Sequence, residues 1–131
     1  METPKYLTVI NSFSVPIMRE ENKRKIIYIA GPMSGYENYN RPAFFDAERE
    51  LKQECNWIIL NPAVHPDGLE HYDYLKMCLP MVEIATHVYM LHGWDKSIGA
   101  MIELDHALNH CKTIIFQDDS PDIKKQKKEL I

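Results

Sequence analysis

The chain predicts an α/β fold, a parallel sheet with helices packed on both faces. Three observations carry this. Four short runs, residues 26–30, 57–60, 87–91 and 113–116, are apolar almost throughout, the pattern of strands buried on both faces. Segments with apolar residues at helical spacing lie between them. The first three runs each stop at a turn signal: Gly31-Pro32, Asn61-Pro62 and His92-Gly93. Strand–helix–strand alternation of this kind builds units whose strands run parallel.

Residues 1–24 read as an N-terminal extension. Within it 7–10 and 13–17 are candidate edge strands, or the whole is an arm that packs on a partner subunit. A charged connector, 19–25, leads into the first strand, Ile26-Ile27-Tyr28-Ile29-Ala30. A loop rich in Gly, Ser and Asn covers 31–40. Pro42 suits the first turn of a helix, where its missing N–H costs nothing. That helix is expected to run to about Cys55, with Phe44, Ala47, Leu51 and Cys55 on one face. After the second strand comes a polar loop containing Pro62, Pro66 and Gly68. Residues 72–85 are helical, with Leu75, Cys78, Val82 and Ala85 as one stripe and a kink expected at Pro80. The third helix is expected over 98–111, with Met101, Leu104, Leu108 and Cys111 toward the core. Residues 25–117 thus make one α/β domain, and 118–131 a charged tail.

The bulk numbers limit the function classes. A length of 131 residues gives one domain with a real core. A net charge of −4 offers no electrostatic footprint for a nucleic acid polymer. The basic clusters at Lys23-Arg24-Lys25 and 124–128 are interleaved with acids and read as solvated ends. Cys55, Cys78 and Cys111 are odd in number and widely spaced, with no C-x-x-C pair, so reduced thiols and a cytoplasmic setting are expected. No apolar run approaches the roughly 20 residues of a membrane helix, and the first residues lack a signal-peptide layout.

The chemistry concentrates in the run from Gly93 to Glu103. It follows a strand and opens a helix, and helix starts leave backbone N–H groups free to hold an anion. Ser97 fits such an anion site and fits a plain N-cap equally. Glu103 sits about a turn and a half into the helix. Gly99 lies four residues earlier on the same face, which clears side chain from above the carboxylate. Ligands of parallel sheets bind beyond the carboxyl ends of the strands, where all three turn signals fall. His65, His71 and His92 lie on those loops. His106 and His110, four apart on the third helix, are spaced to share a metal but read as a solvated helix face.

Taken together, Tyr28-Ile29-Ala30-Gly31-Pro32-Met33-Ser34-Gly35, Asn40-Arg41-Pro42-Ala43-Phe44, Asn61-Pro62 and Gly93-Trp94-x-x-Ser97-x-Gly99-Ala100-x-x-Glu103 resemble the nucleoside 2-deoxyribosyltransferase superfamily. The resemblance covers about residues 25–117. It is closer to a branch of short proteins, often phage-encoded, similar to 2′-deoxynucleoside 5′-phosphate N-hydrolases. It implies a flavodoxin-like (Rossmann-like) sheet and cleavage or transfer of the bond between a base and its sugar. Glu103 matches the nucleophile, Tyr28 a tyrosine near the sugar, Gly31 the glycine of the first loop, and Ser97 a phosphate-binding serine. Arg41 would join Ser97 at a 5′-phosphate. Pro32, Met33, Asn61, Trp94 and Gly99 fall in the matching motifs as substrate-binding candidates, although Trp94 packs over the sheet edge as readily as it stacks on a base. Cys78 stands where the superfamily usually has an aspartate, and a thiol replaces neither its hydrogen-bond acceptor nor its proton donor. Asp73 and Asp95 are then candidates for the second carboxyl. The resemblance further implies a nucleoside or nucleotide ligand, a homodimer or higher homo-oligomer, and no metal or redox cofactor. The alternative is a nucleotide-binding or sensing protein of the same fold that lacks turnover.

Overall fold

The structure, a computed structural model, describes residues 24–118. The expectations for the extension and for the charged tail beyond residue 118 lie outside the described residues. Seven main elements follow in order: β1 Ile26–Ala30, α1 Arg41–Glu54, β2 Ile58–Leu60, α2 His71–Ile84, β3 His87–Met90, α3 Ile98–Asn109 and β4 Thr113–Phe116. Short 3-10 turns at Glu37–Asn40, Pro62–Val64 and Trp94–Lys96 lie in the loops that leave β1, β2 and β3. All pairings are parallel, in the order β2-β1-β3-β4. Tyr28 of β1 lies between Leu60 and Val88 in register. This is the flavodoxin-like arrangement.

The two faces of β1 explain why the strand is apolar throughout. Side chains alternate across a sheet. Tyr28 and Ala30 pack with Val88 and Met90 against Cys78 and Val82 of α2 and Ala100 and Ala107 of α3. Ile27 and Ile29 turn the other way, onto Phe44, Ala47 and Leu51 of α1 and onto Leu91. One helix therefore covers one face and two helices cover the other. The strand order reverses between β1 and β3, so a crevice opens at their carboxyl ends.

The elements match the predicted ones to within a few residues at each end. Two details differ. α2 continues through Pro80 as one helix. The inward face of α3 is Ala100, Glu103 and Ala107, with Leu104 at its margin, whereas Met101, Leu108 and Cys111 are exposed. The predicted stripe and the observed one have the same period, offset by one residue, so spacing alone does not choose between them. The short side chains let α3 lie close on β1 and β3, which larger ones would prevent.

Candidate active site

A cavity of about 310 Å³ opens at this crevice, on the α2 and α3 side of the sheet. Its floor is built from three elements. Tyr28 comes from β1 and is fully buried. Glu103 comes from α3 and is 7% exposed. Cys78 comes from α2 and is likewise buried. The Tyr28 hydroxyl donates a hydrogen bond to Glu103 Oε2.

The electrostatics follow from burial. Desolvation pushes the Glu103 carboxyl up to about 7, and the Tyr28 hydrogen bond opposes that rise. Burial and the neighbouring Glu103 push the Cys78 thiol up to about 11. Cys78 is therefore a protonated, apolar-type thiol against Tyr28 and Glu103, not a thiolate. Burial, with Glu103 and Cys78 close by, drives the Tyr28 phenol well above its ordinary value, so it stays a donor. Of the three, the carboxyl is the group poised to change charge near neutral pH.

The walls follow helical spacing. α2 and its cap residue present Glu70, His71, Tyr74, Leu75 and Cys78, about one turn apart, and α3 presents Gly99, Ala100 and Glu103 beyond Ser97. Ser97 Oγ accepts from the Ala100 N–H at 3.1 Å and caps α3. A Cβ added to Gly99 would meet His71 Cε1 at 3.2 Å. The space expected to be open at Gly99 is thus taken up on one side by the His71 imidazole. Gly31, Met33 and Ser34 close the β1 side.

Arg41 lines the cavity while engaged by its neighbours. Its guanidinium donates to the Ala63 carbonyl at 3.2 Å, pairs with Asp67, and lies 5.1 Å from the centre of the Tyr39 ring. It holds the loop after β2 against the start of α1. Tyr39 also lines the cavity, within a left-handed stretch of Asn38, Tyr39 and Asn40. Asn40 Nδ2 donates to the Pro32 carbonyl at 2.9 Å and pins that stretch. Tyr74 Oη, donating to the Pro66 carbonyl at 2.7 Å, ties the loop after β2 to α2.

The structure brings together Glu103, Tyr28, Gly31, Met33, Arg41, Ser97 and Gly99 of the predicted set. Pro32, Asn61, Trp94, Asp73 and Asp95 are not in the cavity wall. Asn61 is buried and caps the turn after β2, accepting from the Ala63 N–H at 2.9 Å. Trp94 packs on Phe116, with ring centres 5.5 Å apart. Asp73 accepts from the Glu70 N–H at 3.1 Å in the capping box of α2. Asp95 is exposed in the turn after β3. Pro32 lies beside Gly93 at the end of the sheet. Of the loop histidines, His65 and His71 line the cavity, whereas His92 pairs with Asp118 at 2.9 Å on the surface. Tyr39, Phe44, Glu70 and Tyr74 also line the wall, and nothing in the sequence pattern marks them directly as ligand-facing. Glu70 and Tyr74 could have been found from the spacing that carries Cys78, because 70, 74 and 78 are four residues apart along one helical face.

A family model described as "Domain of unknown function (DUF4406)" matches residues 25–116. The chain belongs to this family. Among the described residues, the DUF4406 match takes in every strand, every helix and the whole cavity wall. Among solved structures, the chain is similar to "2-desoxiribosyltransferase from Leishmania mexicana", with 20% identity and a TM-score of 0.56. That alignment covers 77% of this chain and 70% of the other. The likeness establishes a deoxyribosyltransferase-like fold. Comparison with curated proteins gives no significant match. Among the described residues, no helix is long and apolar enough to cross a membrane.

Proposed function

We propose that the cavity binds a nucleoside 5′-monophosphate and cleaves or transfers its N-glycosidic bond, with Glu103 as the attacking group. The observation that carries this reading is the buried Glu103 carboxyl, held by the Tyr28 hydroxyl at the floor of a cavity large enough for a sugar and a base. A carboxylate in that place stabilises an oxocarbenium-like sugar or attacks it. An oxygen of Glu103 bonds to the anomeric carbon as the carbon–nitrogen bond breaks. The electron pair of that bond leaves with the base, which takes a proton from water or from an imidazole of the wall. Water or an acceptor base then attacks the anomeric carbon, gives up a proton, and releases Glu103 as a carboxylate. Ser97 and the free N–H groups at the start of α3 supply the phosphate end.

Cys78 beside Glu103 favours a second reading, a binding or sensing protein without turnover. One experiment separates the two. Free base is measured by chromatography after incubation with ribo- and deoxynucleosides, with and without 5′-phosphate, for wild type and Glu103→Gln. The proposal expects base from monophosphates, lost in the variant, with wild-type activity rising as pH passes through about 7. Equal activity in Glu103→Gln rejects the assignment of the nucleophile. Thermal stabilisation by monophosphates with no base released from any substrate supports the binding reading.

A further inference from the structure

We propose that Glu83, His106 and His110 form a divalent transition-metal site that ties α2 to α3 at the ends of these helices remote from the cavity. None of the three residues lines the cavity. One ligand atom from each lies within 4.8 Å of the other two. His106 and His110 are one turn apart on α3, so both imidazoles share a helix face. Their ring centres are 4.3 Å apart. Glu83 reaches across from α2, with Oε2 2.8 Å from His106 Nε2.

The surroundings favour ligation over a simple ion pair. His110 Nδ1 is 2.8 Å from the His106 backbone carbonyl. A carbonyl accepts only, so Nδ1 carries the proton and the lone pair is at Nε2. Metal-bound histidines show this arrangement, with the second ring nitrogen donating to a carbonyl or carboxylate. Lys112 Nζ, the facing cation, donates to the Glu83 backbone carbonyl at 2.6 Å, which leaves the carboxylate facing His106. Two imidazoles and one carboxylate suit zinc-like ions better than magnesium or calcium, which take oxygen ligands. Glu83 and His110 are exposed, so modest side-chain rotations bring the donors to about 2.0–2.2 Å from a zinc ion. A fourth position remains for water. This site is independent of the chemistry proposed at Glu103.

The test uses the full chain without a histidine tag, stripped with chelator and titrated with zinc chloride by calorimetry near neutral pH. Cobalt chloride and its visible spectrum give a second readout of coordination. The proposal expects stoichiometric zinc binding, a rise in melting temperature with zinc, and a cobalt spectrum of low coordination number. Loss of an outer-shell partner already weakens a metal site about 10–100-fold, so His110→Ala and Glu83→Gln each weaken zinc binding at least tenfold. The same substitutions abolish the rise in melting temperature. Three results overturn it: no stoichiometric binding in wild type, zinc affinity in both variants equal to that of wild type, or a loss of ion-pair stability in the variants with no metal response in wild type.

Discussion

At the scale of single residues, the cavity floor is a question of one proton. Glu103 has a folded value near 7, well above its ordinary 4.5, because burial desolvates the carboxyl more than the hydrogen bond from Tyr28 stabilises its charged form. Between those two values the folded chain binds more protons than the unfolded one. The stability this gives is fully present below about 4.5 and is lost as pH rises through about 7. A glutamine carries no charge to desolvate. Glu103→Gln should therefore gain on wild type as pH rises, by on the order of 3 kcal/mol once the carboxyl is fully ionised. Melting curves at several pH values check this, and parallel curves for the two proteins would contradict it. Cys78 adds no charge to the balance, since its thiol stays protonated.

At the scale of elements, α3 has two tasks at its start. Ser97 caps the helix through the Ala100 N–H, and the same turn faces the cavity. Ser97→Ala should lower stability by about 1 kcal/mol from the lost cap. Under the proposed function it should also weaken stabilisation by deoxynucleoside monophosphates more than by the unphosphorylated nucleosides. Thermal melts with both ligand classes measure the two effects separately. An equal loss for both would leave Ser97 as a cap alone. Arg41 belongs to this scale as well. With Ala63, Asp67 and Tyr39 around its guanidinium, it fastens two loops into one wall.

At the scale of the whole molecule, the site depends on how closely the end of β1 approaches the residue after β3. A Cβ on Gly31 would stand 2.8 Å from Leu91 Cβ and 2.9 Å from Leu91 Cδ1. Leu91 is itself buried in the α1-side core, so little room exists to yield. Gly31→Ala should cost about 1–3 kcal/mol through overpacking. A urea melt reads this, and an unchanged midpoint would show that the two strand ends separate freely.

Much of this was legible in the chain. The all-apolar runs, the helical spacings between them and the turn signals at three strand ends specified a parallel α/β sheet and the edge where the cavity opens. The resemblance placed Glu103, Tyr28 and Ser97 at that edge, and the fold brings them to one cavity. The inward face of α3 was not legible, since the stripes through Ala100 and Met101 have equal period. The neighbours of Asp73, Asn61 and Trp94 were not legible either. A carboxylate, an amide and an indole look the same in sequence whether they cap a turn, fill a core or meet a ligand.

The sequence by itself determined the elements, their parallel pairing and the sheet edge that holds the candidate site, because hydrophobic period and turn chemistry are local properties. Only the tertiary structure decided which side chains face the cavity and in what charge state. It buried Glu103 against Tyr28 and Cys78, set His71 beside Gly99, spent Arg41 on Asp67, and drew Glu83 to His106 and His110. Each pairing joins residues distant in the chain, and their energies depend on desolvation and distance, which exist only once the helices have packed on the sheet.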